Sequence, residues 1–151
     1  MSTATGTAFS VPALTVLSEE EELFRSSVRE FAEGEVRPRV EAMEHAAKLD
    51  PVLIKQCFEL GLMSIESPEE YGGAGSTIFN AIVAIEELAR VDASVSVFVD
   101  VHNTLVTNAF MRWANDDQKK KYMPQLAEGR VGAYALSEAG LTVPTPIQTK
   151  A

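Results

Sequence analysis

Residues 93–113 read ASVSVFVDVHNTLVTNAFMRW, and this stretch decides the fold. Its apolar residues recur at helical spacing and cover more than one side of a helix: Val97, Phe98, Val101, Leu105, Val106, Phe110 and Trp113. A helix that is apolar on several sides is packed among other elements, so the stretch predicts the central helix of a helical domain. Where neighbouring elements leave such a helix uncovered, we expect an exposed apolar patch and self-association.

Four helices are predicted before it, and the first three precede residue 62. Ser18 and Glu21 form a capping box, in which the hydroxyl accepts from an amide of the first turn and the carboxylate reaches back. The apolar stripe that follows stops near Pro38, which lacks an amide proton, and then resumes, so we expect a break at Arg37-Pro38. A further helix is predicted between the cap at Asp50-Pro51 and Gly61.

The next helix is expected to begin at Ser76 and to bury one apolar face. We assign to this face Ile78, Ile82, Ile85, Leu88 and Ala89. Glu86 and Glu87 are then expected to lie outside it.

The C-terminal part of the chain has a different pattern. Asn115 and Gln118 form a capping box for a helix that ends near Pro124 or continues to Gly129. Residues 131–136 (VGAYAL) predict a strand, the first element of another structural layer. The expected organisation is a disordered leader over residues 1–17, an all-α bundle of about six helices over residues 18–129, and the start of a β domain over residues 130–151.

The composition excludes several classes of function. The 151 residues carry a formal charge of −9, which argues against nucleic acids and anionic membranes as partners, because both require a positive face. No apolar run approaches the roughly 20 residues that a membrane-spanning helix needs. Cys57 is the single cysteine, which excludes an internal disulfide and, with only two histidines beside it, makes a metal site unexpected.

Four features could carry chemistry, and each also has a structural interpretation. The glycine-rich residues 72–75 (GGAG) lack the Lys-Ser/Thr end of a phosphate loop, so a structural turn is favoured. His102 has no nucleophile or second histidine at helical spacing and is interpreted as a core residue rather than a base. Cys57 has apolar neighbours on its helix, which favours a buried neutral thiol. The acidic runs 19–22 and 69–70 are interpreted as solvated, so these residues alone identify no catalytic group.

Several segments, taken in order, resemble the N-terminal part of flavin-dependent acyl-CoA dehydrogenases. The matching stretches are Phe31-Ala32 with Val36-Arg37-Pro38, Gly61-Leu62-Met63, residues 68–75 (PEEYGGAG), residues 85–94 (IEELARVDAS), Asn103-Thr104-Leu105, residues 118–126 (QKKKYMPQL) and residues 134–140 (YALSEAG). The resemblance as a whole covers residues 17–140, and the matching stretches look most like the short/branched-chain members of the family.

The resemblance implies three domains in a full-length relative: an N-terminal helical domain, a β domain and a C-terminal helical domain, with FAD between the last two. It implies that a carboxylate removes the α-proton while the β-hydrogen leaves as hydride to the flavin, which gives a trans-2-enoyl-CoA. That carboxylate lies in the C-terminal part of a full-length relative, and no residue here matches it.

The function implied is therefore oxidation of short or branched acyl-CoA, by a partial chain that is expected to be inactive alone. An alternative from another class is a non-enzymatic helical interaction module that kept the fold and lost the chemistry.

Few site residues follow from the resemblance. Tyr134, Leu136 and Ser137 match positions that border the flavin, and Val101 and Leu105 match positions that line the acyl pocket. Tyr134 and Leu136 could instead only pack the predicted strand, and Val101 and Leu105 could be ordinary core residues. No catalytic and no metal-binding residue is assigned.

The chain departs from the family after Gly140. Leu141-Thr142-Val143-Pro144 stands where relatives have Ala-Gly-Ser-Asp, so we expect a chain truncated near the start of the β domain, with weak or absent FAD binding. The implied partners are an acyl-CoA substrate and an electron-transfer flavoprotein. The implied location is the mitochondrial matrix in a eukaryote and the cytoplasm otherwise, although the first arginine, Arg25, comes too late for a transit peptide.

Overall fold

The structure, a computed structural model, describes residues 16–135. The α-helices of this part are α1 (Glu19–Phe31), α2 (Val40–Ala46), α3 (Pro51–Glu59), α4 (Ile78–Ala89), α5 (Ala93–Asp100), α6 (Asn108–Trp113) and α7 (Asp116–Glu128). A π-helical segment, Val101–Thr107, joins α5 to α6 without a break. The predicted all-α bundle of about six helices is confirmed.

The expected break at Arg37-Pro38 is a change of helix type instead. A π-helical turn (Ala32–Val36) and a 3-10 turn (Arg37–Arg39) connect α1 to α2, and the backbone keeps right-handed helical angles throughout. Pro38 stands in the first positions of the 3-10 turn, where its missing amide proton is not required. The proline therefore redirects the helix and does not end it.

Most predicted helix starts are confirmed by their hydrogen bonds. Ser18 Oγ accepts from the Glu21 amide at 3.2 Å while Glu21 Oε2 accepts from the Ser18 amide at 2.7 Å, and the Asn115 box closes in the same way. Ser76 is the exception, because its amide donates to the Ile65 carbonyl at 2.8 Å and holds it in the preceding loop. Thr77 caps α4 one residue later.

The buried face of α4 is not the one predicted. Ile82 is 52% exposed, whereas Glu87 is only 3% exposed. Arg29 of α1 donates to both carboxylate oxygens of Glu87, at 2.8 and 2.7 Å, which satisfies the buried charge and holds its pKa below the usual range. With this pair in place, α4 packs on α1 and α5 through small residues, Ala81 and Ala84, together with Leu88.

The central helix has one buried side and one exposed side. Val95 and Val99 of α5 lie in the core, together with residues of α1, α3 and α4. On the other side, Val97 and Leu105 are exposed and Trp113 is 84% exposed. The apolar surface expected on a second side of this helix is therefore open to solvent in the described part of the chain.

The predicted strand at residues 131–136 is not observed over residues 131–135. A strand requires a neighbouring strand for its hydrogen bonds, and the Gly132 amide instead donates to a histidine of the helical bundle. Leu136, Ser137, the departure at residues 141–144 and nearly all of the predicted leader lie outside the described residues. Between residues 16 and 135, no helix is long and apolar enough to cross a membrane.

Candidate functional site

A cleft lies beside the C-terminal half of the central helix. It encloses about 280 Å³ and is lined by Thr104, Leu105, Asn108, Ala109, Arg112, Trp113 and Tyr134. The lining brings together Leu105, expected at the acyl pocket, and Tyr134, expected at the flavin. Val101 is half-buried and does not line this cleft.

The π-helical segment determines which side chains reach the cleft. Its wider turns bury His102, Asn103, Val106 and Thr107, while Leu105 stays 41% exposed beside the 49% exposed Tyr134. Helices that contain π turns often carry functional residues, because the extra residue changes the direction of side chains locally. In this protein, the π-helical turns place some side chains of one short segment in the core and others in the cleft.

Asn103 fixes this segment to the rest of the domain. Its Nδ2 donates to the Leu62 carbonyl at 2.8 Å and to the Val99 carbonyl at 2.9 Å, and its Oδ1 accepts from the Ile65 amide at 2.9 Å. The side chain therefore supplies hydrogen bonds that the irregular residues 62–65 cannot obtain from a helix. From the sequence, Asn103 stood out only as part of the resemblance, although a side-chain amide inside an apolar helix is a signal of such a role.

His102 is a core residue, as predicted. It is fully buried, Nε2 lies 3.0 Å from the Leu126 carbonyl, and Nδ1 accepts from the Gly132 amide at 3.1 Å. Because a carbonyl only accepts, the proton of the neutral ring is on Nε2. Burial lowers the pKa of His102, and neither nitrogen is free to take a proton from a substrate.

Cys57 is also buried, as predicted. Its side chain lies in the core beside α1 residues, and burial raises the pKa of the thiol to about 12. The neutral thiol is neither a nucleophile nor a metal ligand. Within residues 16–135, no cluster of three histidine, cysteine or acidic side chains could hold a metal ion.

The glycine-rich loop is a structural turn, as predicted. The amides of four consecutive residues, from Gly73 to Ser76, donate to the carbonyls of Pro68, Ser64, Ser67 and Ile65. A phosphate loop requires such amides to point at the ligand. In this loop, all four amides are already bonded to backbone carbonyls, so none of them can bind a phosphate.

Gly73 permits the close approach that this turn needs. A Cβ at that position would lie 2.1 Å from the Ser67 carbonyl oxygen, so we expect Gly73→Ala to destabilise the domain by about 1–3 kcal/mol. Gly34 is the matched control, since nothing lies within 4 Å of its Cβ position and Gly34→Ala should stabilise the helical turn by about 0.5–1 kcal/mol. Urea unfolding of both variants measures the difference, and equal shifts of the midpoint would contradict the close approach.

The sequence of this helical bundle matches one family. The sequence profile described as the acyl-CoA dehydrogenase N-terminal domain covers residues 18–130. The chain belongs to the acyl-CoA dehydrogenase family.

Two relatives are similar over most of the chain. A probable short/branched chain specific acyl-CoA dehydrogenase of Dictyostelium discoideum is 44% identical over 86% of this chain and 32% of its own length. A mitochondrial short/branched chain specific acyl-CoA dehydrogenase of Bos taurus is 37% identical over 84% of this chain and 29% of its own length. The chain therefore spans about a third of the length of these relatives.

Solved structures share the fold. A chain described as the electron transferring flavoprotein of Acidaminococcus fermentans superposes with a TM-score of 0.78 at 34% identity, over 83% of this chain and 33% of that one. A glutaryl-CoA dehydrogenase of Mycobacterium smegmatis in complex with FADH2 superposes with a TM-score of 0.70 at 29% identity, over 75% of this chain and 29% of that one.

Proposed function

We propose that this chain supplies the helical wall of the acyl site in an FAD-dependent dehydrogenase of short or branched acyl-CoA. The observation that carries the proposal is the cleft, where Leu105 and Tyr134 meet. The two residues were assigned to the acyl pocket and to the flavin by resemblance alone. Their proximity supports both assignments, because in this reaction the acyl chain and the flavin must be adjacent.

The residues of the cleft fit one edge of a flavin. Tyr134 and Trp113 present exposed aromatic rings and Leu105 an apolar side chain, a surface suited to a flat ring system and an acyl chain. A bound FAD would accept the β-hydrogen as hydride. Leu105 would exclude water from the acyl chain, and Tyr134 would border the ring.

We propose further that the 151-residue chain does not catalyse the reaction alone. The described residues form one wall of a cleft that is open on its other sides, while hydride transfer needs both reactants held in place. By resemblance, the carboxylate that removes the α-proton belongs to the C-terminal part of a full-length relative. FAD binding by this chain alone should accordingly be weak or absent.

The partners and the location follow the relatives. An electron-transfer flavoprotein is the proposed acceptor, which the similarity to the Acidaminococcus fermentans chain supports. A mitochondrial relative exists, and a mitochondrial matrix location is proposed for the case of a eukaryotic source. The exposed Val97, Ile82 and Trp113 support self-association of the isolated chain.

A chimera tests the proposed function. Residues 18–135 of this chain, which include Gly132 and Tyr134, would replace the corresponding residues of the Dictyostelium discoideum relative, and the product would be assayed for bound flavin and for reduction of a dye by a branched acyl-CoA. We expect both in the chimera and neither in the 151-residue chain. Leu105→Trp in the chimera should lower kcat/KM for the branched substrate at least about tenfold, because it fills the acyl site.

Leu23→Ala is the control, since Leu23 is exposed on α1 and does not line the cleft. A folded chimera without flavin would contradict the proposal and favour the interaction module. The exposed Ile78 and Ile82 of α4 are the observation in favour of that alternative.

A further inference from the structure

We propose that His102 is a positioning residue: its hydrogen bond to the Gly132 amide ties residues 131–135, and with them Tyr134, to the helical bundle. The role of Tyr134 at the border of the flavin rests on the function proposed above. The hydrogen bond itself does not, and it can be tested separately.

The ring of His102 is held so that Nδ1 points at the departing chain. Its Nε2 donates to the Leu126 carbonyl of α7 at 3.0 Å, and the Phe58 ring stands edge-on to it at 5.7 Å between centroids. This arrangement leaves Nδ1 as an acceptor, 3.1 Å from the Gly132 amide. Because the ring is fully buried, water cannot replace either bond.

Gly132 can reach the ring because it has no side chain. A Cβ there would lie 2.4 Å from Cγ1 of Val106, the residue one helical turn after His102. The chain leaves α7 at Gly129, where φ is +143°. Three residues later, Gly132 lies against both His102 and Val106. The contacts with His102 and Val106 therefore determine where the segment runs.

Tyr134 follows Gly132 by two residues, within about 7 Å along the chain. It is half exposed and lines the cleft beside Leu105. Of residues 131–135, Gly132 is the one whose amide donates a described hydrogen bond to the helical bundle, and the acceptor is His102. Loss of that bond should free Tyr134 from the cleft.

Two amide variants of His102 separate the two nitrogens. In His102→Asn the side-chain oxygen can stand near the Nδ1 position and accept from Gly132, whereas in His102→Gln the amide can reach the Nε2 position and donate to Leu126. We expect exchange of the Gly132 amide proton, measured by NMR on the 151-residue chain, to stay near the native rate in His102→Asn. In His102→Gln it should be about five- to tenfold faster.

The amides of α4 serve as the internal control, because global unfolding would raise their exchange as well. Native exchange at Gly132 in His102→Gln, or equal exchange in both variants, would overturn the proposal. A merely structural role for the ring predicts such equality.

If the histidine variants fail to fold, a second pair of substitutions tests whether the contacts of Gly132 position Tyr134. Gly132→Ala should displace the segment and raise the solvent accessibility of the Tyr134 ring, measured by its NMR exposure to a soluble paramagnetic agent. Val106→Ala removes Cγ1 and Cγ2, which lie 2.4 and 3.2 Å from the new Cβ, and leaves the Val106 Cβ at 3.0 Å, so the double variant should restore most of the native signal. A double variant no closer to native than Gly132→Ala would overturn the proposal.

The chimera supplies the functional readout. His102→Gln should lower kcat more than it raises KM, with flavin still bound, and His102→Asn should recover most of the loss. An inactive chimera would count against the proposed function, whereas native Gly132 exchange in His102→Gln would count against the positioning role alone.

Discussion

Replacing Asn103 with alanine is expected to lower the free energy of unfolding by about 3–5 kcal/mol. The side chain is buried and joins the π-helical segment to the Leu62 carbonyl and the Ile65 amide. Alanine would leave that donor and that acceptor without partners in a place that water does not reach, at about 1–3 kcal/mol each, and would add a small cavity. Urea unfolding should show a lower midpoint with an unchanged slope.

Asn103→Asp and Asn103→Leu sharpen this test. The aspartate keeps the acceptor for Ile65 but loses both donated bonds and buries a charge. The leucine keeps the branched shape but satisfies neither backbone group, so neither should rescue the domain. Asn108→Ala is the matched control on the same helix: Asn108 is half-buried and its Nδ2 donates one long hydrogen bond, of 3.5 Å, to Glu66, so the substitution should cost about 1 kcal/mol or less. A leucine variant as stable as the native chain would show that the hydrogen bonds of Asn103 are not required.

The second large effect is expected at Leu88 of α4. Leu88 has no exposed surface and lies in the core, so Leu88→Ala should cost about 2–5 kcal/mol through lost burial and a cavity. Ile82 stands on the same helix and is 52% exposed, so Ile82→Ala should cost less than about 0.5 kcal/mol.

The comparison of these two variants tests the observed orientation of α4. Under the face predicted from the sequence, which includes both residues, the two substitutions would cost similar amounts. Thermal and urea unfolding of the pair, at equal protein concentration, distinguishes the two orientations. Similar losses in both variants would contradict the observed orientation of α4.

Helix starts and turns could be predicted because they depend on neighbouring residues. The boxes at Ser18 and Asn115 and the cap at Asp50 each need residues within one helical turn. The glycine-rich loop was also recognisable, because only glycine tolerates a Cβ position as crowded as that of Gly73.

The orientation of helices could not be predicted in the same way. Glu87 is buried because Arg29, distant in sequence, donates two hydrogen bonds to it, and no count of apolar residues on α4 contains this information. Small residues such as Ala81 and Ala84 allow close helix packing, although a hydrophobicity pattern gives the larger Ile82 more weight.

The candidate site was predicted only where a resemblance supplied it. Leu105 and Tyr134 came from matched family positions, and the structure brings them to one cleft. The hydrogen bonds of Asn103 and His102 were not predicted, because their partners lie in other parts of the chain.

The π-helical segment Val101–Thr107 also limits how this domain can change in length. A wide turn holds one more residue than an α-helical turn, so a one-residue deletion there would restore ordinary helical hydrogen bonding without interrupting the helix. Because the wide turn already accommodates the additional residue, this deletion would leave the residues after it close to their present directions, whereas a one-residue deletion in α5 would rotate them by about 100° around the helix axis. Trp113 and the Asn115 cap would then face other directions, although helix content would hardly change. Insertions and deletions acquired during evolution should therefore be found in the loops and in this π-helical segment, and should be rare within α5 and α6.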